Sequence, residues 1–139
     1  MTAYDNNNIF ARILRGEIPK IAVYEDEHTL AFMDIMPATE GHTLVIPKEA
    51  AVTLFDLSPD AAAATIKTTQ KVAAAVMKAM EMPGIMLVQL NDKAAGQSVP
   101  HLHFHILPRD HGLDMNFHGR KAVDPASLVP IAERIRLHL

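Results

Sequence analysis

Five short runs of β-branched, aromatic and aliphatic residues occur along the chain, each bounded by polar, proline or glycine residues that favour turns. We predict that these runs are strands. They cover residues 21–25, 29–34, 42–47, 85–90 and 99–107. The first three follow one another closely enough to form an antiparallel meander, and residues 93–97 are predicted to be a loop.

Helical periodicity occurs between and beyond these strands. Residues 8–16 predict a short helix that Asn8 caps and Gly16 ends. A longer helix is predicted to start at Ser58, with a proline at its first position, and to run to about Glu81. Its predicted buried side comprises Ala62, Ile66, Ala73, Met77 and Met80.

A third helix is predicted near the C-terminal end, where Asp124 or Ser127 offers a cap and Pro130 obscures the first turn. Its apolar side holds Leu128, Ile131, Ile135 and Leu139. Because the strands are gathered together and not regularly interleaved with helices, the predicted fold class is α+β. We expect an antiparallel sheet of about five strands with a long helix and short terminal helices.

Composition narrows the class of protein. We expect a single domain over residues 1–139, with its core at 8–110 and a helical tail at about 124–139. The chain contains no cysteine, which excludes a disulfide framework and a thiolate nucleophile. A net charge of −3, 5% aromatic residues and no cluster of basic residues argue against binding of a nucleic acid polymer.

The location is also predicted from the sequence. Residues 1–8 hold an acid and three asparagines where a secretory signal would need basic and then apolar residues. No run approaches the roughly 20 apolar residues of a membrane span. We therefore expect a cytoplasmic protein without a membrane partner.

Three histidines alternate with apolar residues in the last predicted strand. His101, His103 and His105 should share one face at steps of about 6.6 Å. The opposite face would carry Leu102, Phe104 and Ile106. A single histidine on such a strand is usually a packed core residue, but three in strict alternation indicate chemistry.

Two chemistries could use this row. A metal ion could take two of the histidines, but the third lies about 13 Å from the first along a strand and could not join the same ion. A neutral imidazole can instead attack phosphorus without a separate base. We favour the second interpretation.

The heptapeptide at residues 101–107, His-Leu-His-Phe-His-Ile-Leu, resembles the signature of the histidine triad (HIT) superfamily. Further similarity to the Hint-like purine phosphoramidases and bacterial HIT proteins occurs at residues 9–10, 16–19, 24–26, 30–35, 41–48 and 96–99. The resemblance covers about residues 8–110. It implies a HIT-like fold and a homodimer that binds a purine nucleotide similar to AMP.

The resemblance also implies residue roles. His103 corresponds to the nucleophile that attacks the α-phosphorus, His105 to the contact for the phosphate and leaving group, and His101 to the residue that organises the row. His42 would support them. The positions that match phosphate-binding residues are Gln97, Ser98 and Asn91. The positions that match the nucleoside pocket are Asp34, Ile9, Phe10, Ile13, Ile18, Phe32 and Ile35.

Simpler roles stay open for several side chains. Asp34 could cap the turn before Pro37, and the apolar pocket residues could be ordinary core. Lys48 and Arg109 could be solvated charges. The histidines expected at the surface after the triad are His111, His118 and His138.

The chain departs from the family pattern at three places, one of which is residues 90–92, where relatives often have Asn-x-Gly and this chain has Leu-Asn-Asp. Bacterial relatives often hold zinc with two N-terminal cysteines, a later histidine and the first triad histidine. The corresponding residues here are Asn8, Ala11, Ala50 and His101, so we expect no metal and no cofactor. The chain after Arg109 also lacks the Trp-Pro ending of the Hint phosphoramidases, which leaves the preferred leaving group open.

These observations predict an enzyme. We expect a nucleotidyl hydrolase or transferase that acts on purine nucleoside phosphoramidates or related nucleotide esters through a covalent nucleotidyl-His103 intermediate. A dinucleoside polyphosphate hydrolase is an alternative within the same class. A nucleotide-binding signalling module with incidental catalysis is an alternative from another class, because it would keep the same pocket.

Overall fold

A five-stranded antiparallel sheet forms the centre of the computed structural model, which describes residues 3–111 and 120–139. The strands are β1 (Ala22–Glu25), β2 (Thr29–Met33), β3 (Thr43–Pro47), β4 (Gly84–Gln89) and β5 (Phe104–Arg109). Their order across the sheet is β1-β2-β3-β5-β4. The first three pair as the predicted meander, so the α+β class and the antiparallel sheet are confirmed.

The first two helices begin at the predicted caps, and the third does not. They are α1 (Ile9–Leu14), α2 (Pro59–Ala79) and α3 (Val129–Arg136). The side chains of Asn8 and Ser58 accept hydrogen bonds from backbone N–H groups in the first turns of α1 and α2. Asp124 caps a short 3₁₀ turn that leads into α3, and Pro130 lies in the first turn of α3, where a missing N–H is tolerated.

The buried face of α2 differs from the predicted one. Ile66 and Met77 are 49% and 38% exposed. The buried helix residues are Thr65, Thr68, Thr69, Val72, Ala73, Ala75, Val76 and Ala79. Thr65 and Thr69 can occupy the core because their hydroxyls donate to carbonyls four residues earlier, at 2.7 and 2.8 Å. The prediction based on hydrophobicity was therefore wrong for Ile66 and Met77, whereas Ala73 and Met80 are buried as expected.

Helices cover both faces of the sheet. On one face α2 and α3 pack against alternate strand residues, including Ala31, Met33 and Val45. On the other face α1 packs through Phe10 and Ile13. Its partners there are Leu30, Phe32, Leu44 and Ile46. Because both faces are covered, every residue of β2 and β3 is buried.

The described part of the chain holds no helix with the length and apolar character needed to cross a membrane. The expectation for His118 lies outside the described residues. His111 and His138 are exposed, as expected.

Candidate active site

The prediction that the triad lies on one continuous strand over residues 99–107 is wrong. β5 begins at Phe104, so only His105 lies in the sheet, and His101 and His103 precede it. The rings nevertheless converge, because the centroids of His103 and His105 lie 4.9 Å apart with their planes at 64°.

Two local features keep the earlier residues out of the ladder. Pro100 has no N–H to donate to a neighbouring strand. The N–H of Leu102 donates instead to the Ala51 carbonyl at 2.8 Å, and the Leu102 side chain packs with Ala51 and Leu57. The segment is therefore held by a loop contact and not by sheet pairing.

The tautomer of the central histidine is set by the backbone. His103 Nδ1 lies 2.8 Å from the His101 carbonyl oxygen. A carbonyl can only accept, so Nδ1 carries the hydrogen and the lone pair of the neutral ring is on Nε2. Phe10 packs perpendicular to this ring, with centroids 4.9 Å apart. The unprotonated nitrogen is the one that a nucleophile requires.

His101 is held at both ring nitrogens. Its Nε2 donates to the Pro47 carbonyl at 2.8 Å, so its Nδ1 accepts from the Tyr4 hydroxyl at 2.6 Å. The ring is fully buried. Tyr4 was missed by the sequence analysis, because no local pattern connects it with a histidine 97 residues away.

A second hydrogen-bonded chain fixes His105. The N–H of Ala38 donates to His42 Nδ1 at 3.0 Å, so His42 carries its hydrogen on Nε2. That Nε2 lies 2.9 Å from His105 Nδ1, which must accept. His105 therefore carries its own hydrogen on Nε2. Because His105 stands opposite Leu44 in the sheet register, its ring lies on the face covered by α1.

All four histidines are neutral at ordinary pH because they are buried. Burial lowers the pKa of His42 and His101 to about 4, and that of His105 to about 2. Burial also lowers the pKa of His103. The site therefore presents unprotonated imidazole to a ligand across the physiological range.

A cavity of about 340 Å³ opens between α1 and the sheet face that carries His105. Its walls include every residue that the resemblance assigned to the nucleoside pocket. These are Asp34, Ile9, Phe10, Ile13, Ile18, Phe32 and Ile35. Ser98, His103 and His105 line the cavity too. Its size and its apolar walls with few polar groups are typical of a small-molecule site.

Two predicted phosphate ligands do not reach this cavity. The side chain of Gln97 accepts from the N–H of Asp92 at 2.6 Å and donates to the carbonyls of Val52 and Val99. Asn91 accepts from the N–H of Leu54 at 2.8 Å and is also bonded to Gln89. Both side chains thus brace the loop before the triad, and a phosphate contact for either stays a prediction.

Asp34 has partners already, and one of them was not expected. Its Oδ1 accepts from the N–H of Met36 at 2.8 Å, which is the turn-capping role left open above. Its Oδ2 accepts from Arg120 Nη1 at 3.0 Å. Arg120 lies 86 residues away and beyond the region of family resemblance, so no spacing pattern could have identified it.

Asp34, His42 and His105 are the residues that could hold a metal ion in the described part of the chain. One donor atom from each lies within 4.8 Å of the others. To bind a metal, His42 Nε2 would have to be free of its hydrogen. The neutral ring would then carry that hydrogen on Nδ1. Nδ1, however, faces the N–H of Ala38 and lies 3.4 Å from Arg120 Nη1, both of which are donors. The hydrogen bonding therefore disfavours metal, and the absence of a metal stays a prediction.

Two cationic side chains outside the triad have structural partners. Lys48 pairs with Glu25 at 2.9 Å, with both side chains partly exposed. Arg109 donates to the His111 carbonyl at 3.5 Å. Neither contact involves the cavity.

Known proteins share both the sequence and the fold of this chain. Residues 15–112 match the HIT domain. A HIT-like protein of Methanocaldococcus jannaschii is 46% identical over 104 residues, which cover 75% of this chain and 80% of that protein. The adenosine 5′-monophosphoramidase hnt1 of Schizosaccharomyces pombe is 35% identical over 130 residues, covering 91% of this chain and 94% of that protein.

A solved structure extends the agreement to nearly the whole chain. The crystal structure of a Hit-like protein from Bartonella henselae, described as involved in cell-cycle regulation and containing an unknown ligand, matches with a TM-score of 0.92. The two are 47% identical, and the match covers 99% of this chain and 100% of the other. With the histidine triad, the HIT domain match and this fold in agreement, the chain belongs to the HIT family of nucleotide-related hydrolases and binding proteins.

Proposed function

We propose that this protein is a nucleotidyl hydrolase or transferase that acts at the α-phosphorus of purine nucleoside phosphoramidates or related nucleotide esters. The observation that carries the proposal is the tautomer of His103. Its Nδ1 is occupied by a backbone carbonyl, so its lone pair lies on Nε2 of a ring that lines the cavity.

The reaction divides into two displacements. His103 Nε2 attacks the α-phosphorus, and the bond from phosphorus to the leaving group breaks with its electron pair on the leaving group. Water then attacks the nucleotidyl-histidine, which releases the nucleoside monophosphate, a proton and neutral His103. In a transferase reaction another acceptor replaces water. Each displacement has a lower barrier than direct attack by water.

The neighbouring groups suit the charge that develops on phosphorus. His105 carries a hydrogen on Nε2, which can donate to a phosphate oxygen or to the leaving group. Ser98 adds a hydroxyl at the same wall of the cavity. The apolar residues of α1 and β2 offer a surface against which a purine ring can stack, and Asp34 offers acceptors for ribose hydroxyls.

Turnover of defined nucleotides tests the proposal. Adenosine 5′-phosphoramidate and a diadenosine polyphosphate would be incubated with the native protein and with His103→Ala, while product release and intact mass are followed. We expect release of AMP by the native protein, a transient mass increase equal to one adenylyl group, and loss of both in the variant. Removal of a covalent nucleophile usually costs several orders of magnitude in kcat.

The same experiment separates the other functions. Preferential turnover of the diadenosine polyphosphate would assign a dinucleoside polyphosphate hydrolase. Binding of nucleotide without turnover would contradict the enzyme and assign a binding module. As a matched control, exposed His138→Ala should leave turnover unchanged, because that ring lies outside the cavity.

The homodimer and the cytoplasmic location stay predictions. The first is supported by β4, a strand at the edge of the sheet that is apolar over residues 85–88 and partly exposed along its whole length. Such an edge is a surface on which a second strand can pair.

A further inference from the structure

Arg120 enters the candidate active site from the part of the chain that follows β5. Its Nη1 donates to Asp34 Oδ2 at 3.0 Å and to the Met36 carbonyl at 2.9 Å. The same nitrogen also lies 3.4 Å from His42 Nδ1, so its two hydrogens face three acceptors. The Arg120 and Asp34 side chains are only 16% and 10% exposed, so water screens the pair weakly.

The Asp34 carboxylate is clamped from both sides. Arg120 holds Oδ2, and the N–H of Met36 holds Oδ1 at 2.8 Å. Each carboxylate oxygen can accept two hydrogen bonds. These contacts therefore fix the plane of the carboxylate and leave it able to accept further hydrogen bonds. Both Asp34 and Arg120 line the cavity.

The backbone that delivers Arg120 is tied to the same loop. The N–H of Val123 donates to the Ile35 carbonyl at 2.9 Å, and Pro125 adds to the wall of the cavity. A side-chain contact and a backbone contact thus hold residues 120–125 against residues 34–36. An arginine anchored in this way can orient a carboxylate with little loss of freedom on ligand binding.

We propose that Arg120 is a positioning residue of the nucleoside pocket, which holds the Asp34 carboxylate in the orientation that accepts the ribose hydroxyls of the bound nucleotide. This inference rests on the proposed function, because it requires a nucleotide in the cavity. It assigns a role in sugar recognition to a residue from a segment with no family motif.

Binding of two product nucleotides tests this role. AMP and 2′,3′-dideoxy-AMP differ only in the hydroxyls that Asp34 would accept. Their dissociation constants would be measured by calorimetry for the native protein, Arg120→Ala and Arg120→Lys. Lys121→Ala serves as the control, because it removes a neighbouring exposed cation that does not line the cavity. Thermal unfolding of each variant would establish that it is folded.

We expect the native protein to prefer AMP over the dideoxy nucleotide by about ten-fold or more, the size typical of hydrogen bonds to a charged acceptor. Arg120→Ala should lose most of this preference and bind the dideoxy nucleotide as the native protein does. Arg120→Lys should recover part of it, since it keeps a cation with several donors. Lys121→Ala should keep the native preference.

Four results would overturn the inference. If Arg120→Ala weakened the binding of both nucleotides equally, the arginine would contact the phosphate or would only stabilise the fold. An unchanged preference in Arg120→Ala would remove Arg120 from sugar recognition. A native protein that binds both nucleotides equally would show that Asp34 does not read the ribose, while His103-dependent turnover would still uphold the proposed function. Failure of AMP to bind at all would also overturn the inference, and His103-dependent turnover would then decide the proposed function separately.

Discussion

Acidification should destabilise this protein well before its carboxylates titrate. His42, His101 and His105 are buried and neutral, with pKa values lowered to about 4, about 4 and about 2. In the unfolded chain each returns to an ordinary value of about 6.5. As the pH falls below that value, the histidines of the unfolded chain bind protons and those of the folded protein do not. The free energy of unfolding therefore decreases.

The size of the effect follows from these pKa values. Between about pH 7.5 and about pH 5.5, an unfolded histidine goes from mostly neutral to mostly charged, while the buried one stays neutral. Each of the three therefore lowers the free energy of unfolding by about 1.3 kcal/mol, which makes about 4 kcal/mol together. His103 acts in the same direction, because burial lowers its pKa too. Such a loss is a large part of the stability of a typical domain.

Urea denaturation at a series of pH values measures this loss directly. The carboxyl groups of Glu25 and Asp26, whose pKa values are lowered, begin to lose their stabilising contribution only below about pH 4.5, so the chosen window isolates histidines. His101→Asn should reduce the loss of stability across this window by about 1.3 kcal/mol. Exposed His138→Gln should leave the slope unchanged. A change of less than about 1 kcal/mol across the window would refute the assigned neutral, buried rings.

Two further predictions concern packing and hydrogen bonding. Tyr4→Phe removes the hydroxyl that donates to His101 Nδ1, so a buried acceptor loses its partner and urea denaturation should show a loss of about 1–3 kcal/mol; unchanged stability would mean that water replaces the hydroxyl. Val76→Ala, at a fully buried position of α2, should cost about 2 kcal/mol, whereas Ile66→Ala on the exposed face should cost less than about 0.5 kcal/mol. If Ile66→Ala cost more stability than Val76→Ala in the same assay, the buried face predicted from hydrophobicity would be the correct one.

Local patterns predicted those parts of the fold that depend on local physics. The strands of the meander were recognisable because their apolar runs end at turn-forming residues, and all three lie within a residue or two of the predicted bounds. Asn8 and Ser58 cap their helices as expected, because a cap satisfies N–H groups only three residues away. The residues that the family resemblance assigned to a nucleoside pocket line one cavity, while their contact with a nucleoside stays a prediction.

The errors arise where distant contacts override local preference. Thr65 and Thr69 are polar by composition, yet each satisfies its hydroxyl within the helix and so occupies the core. The triad backbone leaves the sheet because Pro100 and a bond to a distant loop end the pairing. Tyr4 and Arg120 reach the site across 97 and 86 residues, a separation at which periodicity carries no information.

The bond between His103 Nδ1 and the His101 carbonyl has a consequence for how the site can change over time. Since the acceptor belongs to the main chain, every amino acid at position 101 would supply it. Substitutions there can shift or loosen the loop, but they cannot delete the group that keeps Nε2 of His103 unprotonated. The tautomer of His103 that the proposed reaction requires is therefore fixed by the path of the backbone, which makes it less sensitive to substitution than a contact between two side chains.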